Sequence, residues 1–215
     1  RVAVGVSGGK DSLALLVALS QLSRFYPHHF TVVAITLEMG YDEMDFSPVQ
    51  TLCDKLGVEY IRVPTQIGPI VFDIRHEENP CSLCAKLRRG ALHDAARKAG
   101  CSKVALGHHF DDAVETFLLS LVYEGRISCF QPVTHMTRTG VDQIRPMLYA
   151  GEGRIANLAK ALALYTYEAD VVGLLLSSTE PYSLYPPCVT ACCNRPVIGI
   201  VTQTDHPDGD PDRAQ

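Results

Sequence analysis

Val2, Val4 and Val6 predict one buried strand, and from Ser12 onward Leu13, Leu15, Leu16, Ala18 and Leu19 supply the apolar face of a helix. A second apolar strand is expected from Thr31 to about Leu37. Ser47-Pro48-Val49-Gln50 then reads as an N-cap, a proline at the first helical position and a glutamine placed for a capping box. That helix should stop at Gly57, with a third strand from Val58 to Val63. Cys84 to Ala99 carries a helical stripe (Leu87, Ala91, Leu92, Ala95, Ala96, Ala99) closed by Gly100. Val104 to Leu106 predict a short fourth strand, and Asp111 to Tyr123 a helix with Val114, Phe117, Leu118 and Leu121 on one side. Ile144 and Arg145 suggest a fifth strand, and Arg154 to Leu164 a last helix. Alternating strands and helices imply an α/β fold, a doubly wound parallel five-stranded sheet covered on both faces. Ligands of such sheets gather beyond the carboxyl ends of the strands.

Past Leu164 the pattern breaks down. Six of the 13 prolines lie there, and TDHPDGDPDRAQ, from Thr204 to Gln215, is acidic and rich in Pro and Gly. The expected division is therefore a domain over residues 1–164 and a divergent, partly disordered tail over 165–215. Charge follows the same boundary. Residues 1–164 hold 17 Lys+Arg and 17 Asp+Glu, whereas 165–215 hold two Arg and seven acids, which accounts for the net charge of −5. A balanced body leaves a nucleic-acid partner open, to be decided by a local basic patch. No apolar run approaches the ~20 residues that span a membrane. Eight cysteines without a secretory cue point to a reducing, cytoplasmic setting. Because Arg1 is already the first residue of a strand, the natural start of the protein is expected to lie upstream.

The first candidate chemistry is Ser7-Gly8-Gly9-Lys10-Asp11-Ser12, between the first strand and its helix. Glycines allow a tight turn and close approach of a ligand, and a helix start presents N–H groups with partial positive charge. Together they form a nest for an anion, best a phosphate; the plain alternative is a turn with convenient glycines. The common G-x-x-x-x-G-K-[ST] loop is absent here. A second group, ALGHHFDDAVETFLLSL, places Gly107, His108 and His109 just past a strand and Asp111 and Asp112 at a helix start. Those acids suit helix capping, or Mg²⁺ or proton transfer in a nucleotide site. A third, NPCSLCAKLRRG, sets Cys81 and Cys84 in C-x-x-C at the start of a basic helix. Both sulfurs can reach one metal or cluster, with a redox pair or inert thiols as alternatives. Cys53 and Cys101 read as small core residues, and Cys129 stands alone. Arg88 and Arg89, with Lys86, Arg97 and Lys98, could contact RNA phosphates. For Arg97 and Lys98 a solvated helix face is the preferred reading. No aromatic platform for a base is assignable from sequence.

The Ser7–Ser12 string resembles the pyrophosphate loop of the N-type ATP pyrophosphatases, the PP-loop superfamily of adenine nucleotide α-hydrolase-like fold. Taken with C-x-x-C, GHHFDD and IRPMLY (144–149) in this order, the chain from about Arg1 to Leu164 resembles the tRNA 2-thiocytidine synthetases. The resemblance implies that ATP adenylates the C2 oxygen of an anticodon-loop cytidine in tRNA and that sulfur, from a cysteine desulfurase or sulfide, displaces AMP. It implies that Ser7, Gly8, Gly9 and Ser12 grip pyrophosphate, that Lys10 neutralises charge and that Asp11 helps hold Mg²⁺. Leu37, Gly107 and His108 would line the nucleotide site, and Asp111, Asp112 and Arg88 would join Lys10 and Asp11 in catalysis. It also implies a [4Fe-4S] cluster on three cysteines, and a possible homodimer. Members of that family take the third ligand from a Cys-Pro segment soon after the helix ending near Leu164. Here YTYEADVVGLLLSS stands in that place without a cysteine, so the expected ligand is Cys188, with Cys192 and Cys193 as the other candidates. The competing reading of the tail is a shifted frame or a fusion. The rivals in function are a lysidine-synthetase-like or amidating synthetase, and a non-catalytic remnant that binds nucleotide or cluster.

Overall fold

The computed structural model describes residues 1–40, 45–75 and 80–164. Alternation of strands and helices produces β1 (Val2–Gly5), α1 (Lys10–Phe25), β2 (Val32–Glu38), α2 (Ser47–Leu56), β3 (Glu59–Pro64), α3 (Pro80–Lys98), β4 (Lys103–Ala105), α4 (Phe110–Glu124), β5 (Val133–Met136), β6 (Val141–Ile144) and α5 (Glu152–Ala161). A π-helical turn, Pro69–Ile74, precedes α3. The sheet runs β3-β2-β1-β4-β6-β5, parallel except for β5, which pairs antiparallel with β6.

The doubly wound α/β expectation holds, but among the described residues the sheet has six strands, not five. The added strand, VTHM, is a half-exposed edge of four residues with Val133 58% exposed, so it carries no run of buried apolar positions to be read in advance. The last parallel strand lies at Val141–Ile144, a few residues before the Ile144-Arg145 expected for it. Ser47 is the first residue of α2 rather than its cap. Asp45 takes both the Ser47 N–H (2.8 Å) and its hydroxyl (2.9 Å), which also holds the Asp45 carboxyl below the usual range. Gln50 makes no capping box, because its amide donates to Asp54 (2.8 Å) instead. Gly57 ends α2 in the left-handed conformation at φ 67°, as expected of a glycine there.

Two cores follow from the period of two along the strands. Val2, Val4, Val6, Val32 and Ala34 face α1 and α2, meeting Leu13, Leu16, Val49 and Cys53. Ala3, Val33, Ile35 and Val104 face α3, meeting Leu92 and Ala96. Cys53 and Cys101 are core residues as expected; burial pushes the Cys53 thiol up to about 11 and the Cys101 thiol upward too. The helix α4 departs from expectation. Its apolar side is left largely open, with Val114 39%, Leu118 50% and Leu121 43% exposed, while Asp112 and Ser120 are its buried residues. No helix among the described residues is long and apolar enough to cross a membrane.

Strand order places the site. The chain winds outward from β1 through β2 to β3, then returns to lay β4 on the other side of β1. The β1/β4 boundary is the topological switch point, where the loops diverge and leave a crevice. The Ser7–Ser12 loop leaves β1 there and Gly107–Asp112 leaves β4 there. Helix α3 runs back along the other face, with Leu92 against Gly5 and Ala99 receiving a hydrogen bond from Arg1 (2.9 Å). Its N-terminal turn therefore reaches the same carboxyl edge as the two loops.

Candidate functional site

The Ser7–Ser12 loop is braced by its own hydroxyls. The Ser7 N–H donates to Ser12 Oγ (3.2 Å), Ser12 Oγ donates to the Gly9 carbonyl (2.9 Å), and Gly9 N–H reaches Ser7 Oγ (3.4 Å). Gly8 sits at φ 89°, in the region that favours glycine, and Gly9 is an extended N-cap without a side-chain cap on α1. The result is a preformed turn with the start of a 16-residue helix pointing out of it. Lys10 opens that helix, its Nζ 3.3 Å from Asp11 Oδ2 and 3.3 Å from Glu152 Oε1.

The second loop is pressed against the first. A Cβ added to Gly107 would stand 3.1 Å from the Asp11 carbonyl carbon and 3.2 Å from the Ser12 nitrogen. Both neighbours are backbone and cannot swing away. Gly107→Ala is expected to cost about 1–3 kcal/mol of stability by overpacking the loops, measured by urea denaturation. A wild-type midpoint for the variant would contradict this contact.

His109 connects the acids. It is buried, with Nε2 4.0 Å from Asp11 Oδ1 and Nδ1 3.6 Å from both Asp111 Oδ2 and Asp112 Oδ2. Its backbone N–H donates to Asp112 (2.8 Å), and Asp111 accepts the Glu152 N–H (2.7 Å). Thus α4, α5 and the first loop are tied around one imidazole. Burial raises the Asp112 carboxyl above the usual range, opposed in part by the His109 N–H. Asp11 Oδ1 is buried without a hydrogen-bond partner.

His108 turns to a different wall. Its ring lies 5.2 Å from that of Phe130, whose face carries the Arg145 guanidinium at 4.7 Å. Arg145 also donates to Thr134 Oγ1 (3.2 Å) and to the Gln131 carbonyl. This is what the arginine of IRPMLY does: it fastens the segment before β5 to the wall behind His108. Burial, then the charges of Arg145 and Arg89, push the His108 imidazole down to about 3. His93, 1% exposed in α3, is likewise lowered by burial. Below pH 6.5 the unfolded chain protonates both rings, while in the folded chain His108 stays neutral and His93 is shifted in the same direction. Stability is therefore expected to fall as pH drops from neutral, by up to about 1.4 kcal/mol per pH unit for each histidine. Urea midpoints taken from neutral pH to about pH 5 check this, and a flat profile would contradict it.

The remaining expected residues are placed as follows. Leu37 is the penultimate residue of β2, beside the β1 end, with its side chain in the α3-facing core. Cys81 and Cys84 share the first turn of α3; Cys84 is 1% exposed among Met39, Ile67 and Val71. Arg89 lies near enough for its charge to bear on His108, and Cys84, five residues earlier, stands about 7.5 Å further along the axis. Arg88 is half-buried one turn beyond Cys84; of the two arginines it is Arg89 whose charge bears on His108. Cys188, with Cys192 and Cys193, lies outside the described residues. His109 belongs to the GHHFDD group expected to line the nucleotide site but carries no role of its own there, and Glu152 and Arg145 are not among the expected site residues. The first was visible as a histidine three positions before Asp112, but Glu152 is joined to Lys10 only by folding.

The cofactor fit can be judged from these donors. Among the described residues no three His, Cys, Asp or Glu side chains converge on one ion position. For Mg²⁺ that is the ordinary case, since it is commonly bound by one or two carboxylates plus substrate phosphates, and the unpartnered Asp11 Oδ1 is such a donor. For a cluster, Cys81 and Cys84 supply two thiols at C-x-x-C spacing on a helix start, and a further ligand must come from outside the described residues.

The Sorangium cellulosum tRNA-cytidine(32) 2-sulfurtransferase is 38% identical to this chain over 177 residues, covering 80% of the chain and 62% of the relative. The same enzyme of Anaeromyxobacter dehalogenans (strain 2CP-C) is 37% identical over 174 residues, covering 80% and 60%. The chain thus spans about six-tenths of the length of these relatives. Among solved structures, the U34-tRNA thiolase NcsA from Methanococcus maripaludis with its [4Fe-4S] cluster superposes with a TM-score of 0.61 at 25% identity, covering 89% of this chain and 62% of that one. The phosphoadenylyl-sulfate reductase from Candida auris shares the fold, with a TM-score of 0.51 at 12% identity and coverage of 80% and 77%. A family model described as ethanolamine utilisation - propanediol utilisation matches residues 151–213, most of them in the compositionally distinct tail. The model of the PP-loop domain matches residues 1–171, taking in both loops of the switch point and the C-x-x-C helix, and the chain belongs to that family.

Proposed function

We propose that this chain carries out ATP-dependent tRNA thiolation, adenylating the C2 oxygen of a cytidine and replacing that oxygen with sulfur, through residues 1–164. The observation that carries this reading is a convergence at one edge of the sheet. Lys10, Asp11, His109, Asp111, Asp112 and Glu152 form one contiguous polar cluster at the switch point, and the Cys81–Cys84 turn ends at the same edge. The 2-sulfurtransferase names of the relatives, and a thiolase structure holding a [4Fe-4S] cluster, agree with it.

The chemistry needs both halves. A pyrimidine carbonyl oxygen is a poor leaving group. When it attacks the α-phosphorus, an O–P bond forms, the α–β phosphoanhydride breaks and pyrophosphate departs. Lys10 and the first N–H groups of α1 hold the charge that grows on that leaving group, and the bracing of Ser7 and Ser12 keeps the loop in shape before ATP arrives. Asp11, through its unpartnered Oδ1, would hold Mg²⁺ against the phosphates, and Asp111 and Asp112 suit proton transfer beside it. Hydrosulfide, supplied as sulfide or released from the persulfide of a cysteine desulfurase by a thiol reductant that is itself oxidised to a disulfide, then adds at C2. The C2–O bond breaks, AMP leaves and one proton is lost. His109 fixes the acids around this space, and a protein dimer and tRNA are the partners in view. Cys81 and Cys84, with Cys188 as the third ligand, would hold a [4Fe-4S] cluster, which when bound supplies an iron site for inorganic sulfur.

Nucleosides from cells with and without the gene test the reading by mass spectrometry. Loss of 2-thiocytidine on deletion is expected. An unchanged nucleoside profile would reject it, and pyrophosphate release driven by a non-RNA acceptor would favour an amidating synthetase.

A further inference from the structure

The rim of the switch-point crevice carries two aromatic rings turned to solvent. Phe110 is the first residue of α4, immediately before Asp111, and is 51% exposed. Tyr149, three residues before Glu152, is 87% exposed. The two belong to one surface, because the Phe110 N–H donates to the carbonyl of Ala150 (3.0 Å), the neighbour of Tyr149. The next residue on α4, Asp111, accepts the Glu152 N–H (2.7 Å), and Glu152 pairs with Lys10 at 3.3 Å. Tyr149 is held in a firm turn, with Leu148 N–H on the Arg145 carbonyl (3.3 Å) and Ala150 N–H on Met147 (2.8 Å). Arg145 is itself 8% exposed and stacked on Phe130. A rigid, buried anchor thus presents a ring that buries almost nothing of its own.

An exposed aromatic alone needs no explanation. Two of them on either side of the backbone contact beside the polar cluster need one, since Tyr149 buries almost nothing and Phe110 leaves half its surface in solvent. Bases splayed from an RNA loop are held on such rings, flanked by cations on the backbone. Arg154, in the first turns of α5 and two residues past Glu152, is exposed. The adenine of ATP fits less well, because small-molecule sites bury most of their ligand and a ring 87% exposed contributes only an open face.

We infer that Phe110 and Tyr149 form a stacking platform for an unpaired nucleobase of the RNA substrate, delivering the target nucleotide to the Lys10–Asp111–Glu152 centre. This deepens the proposed thiolation and rests on it. Tyr149 and Phe110 bind RNA and take no part in the chemical step.

The experiment is fluorescence anisotropy of a labelled RNA hairpin with a cytidine-containing single-stranded loop, titrated with the full chain, beside calorimetric titration with Mg-ATP. Tyr149→Ala and Phe110→Ala are expected to weaken hairpin binding about tenfold or more each, with Tyr149→Phe close to wild type. Mg-ATP affinity and thermal midpoint should not move for the two Tyr149 variants. Unchanged hairpin affinity in both alanine variants overturns the platform while leaving the thiolation reading in place. A parallel loss of Mg-ATP affinity also overturns it, by assigning the rings to adenine. So does a Tyr149→Phe variant as weak as Tyr149→Ala, since the hydroxyl would then be the contact. Wild-type chain that fails to bind the hairpin removes both the platform and the reading beneath it.

Discussion

Lys10→Ala is expected to lower RNA-dependent pyrophosphate release by about 10²–10³-fold, the loss typical of removing one preorganised charge from a leaving group. The ammonium is poised rather than committed. It sits 3.3 Å from both Asp11 and Glu152, side chains that are 29% and 54% exposed, so each pair is worth little to folding in the absence of ligand. The variant should accordingly melt within a degree or two of wild type while losing turnover. Lys10→Arg should not restore the rate, because a broad planar guanidinium cannot take the place of a compact ammonium at a helix start. Pyrophosphate release measured with saturating ATP and RNA decides the matter, and a Lys10→Ala rate within twofold of wild type would remove the loop from the chemistry.

Cys81→Ala and Cys84→Ala are expected to reduce iron bound after anaerobic reconstitution to background, with loss of visible absorbance. A cluster bound by three thiolates cannot survive on one or two. The built-in controls are Cys53 and Cys101. Burial raises both thiols and packs them into the two cores, so Cys53→Ala and Cys101→Ala should keep the iron even where they cost stability. Iron content per chain is the readout. Cys81 is the cleaner site, being half-exposed, whereas Cys84 also fills space among Met39, Ile67 and Val71. Full iron loading in Cys81→Ala would falsify its role as a ligand. The same measurement on Cys188→Ala tests the third position.

Much of the fold was legible because the relevant signals are local. A run of valines ending in Ser-Gly-Gly-Lys-Asp-Ser can only turn from strand to helix there, since the glycines free the backbone and the leucines at helical spacing resume at once. Gly57 and Gly100 ended their helices for the same local reason, each at positive φ. The short strand β5 escaped notice because an edge strand of four half-exposed residues is defined by its hydrogen-bonding partner, not by its own composition. Ser47 does not cap α2 because Asp45, two residues earlier, takes both its N–H and its hydroxyl, which leaves Phe46 at the N-cap without a side-chain cap. The open apolar side of α4 is a matter of what packs on it, which the periodicity of the helix itself does not specify.

The amino-acid order alone determined which residues leave the strand ends, that they include a glycine-rich turn at a helix start, a pair of acids at another and two cysteines one helical turn apart, and hence which chemistry was open to the chain. Tertiary structure alone decided that β4 lies beside β1, so that the two loops share a crevice. It also decided that His109 stands among three carboxylates, that Glu152 closes on Lys10, and that Phe110 and Tyr149 face outward beside them. The division has a physical cause. Backbone turns and helix starts are set by neighbours in sequence, whereas strand pairing and the meeting of charges from residues some forty or more positions apart are set by which faces the whole chain can bury together.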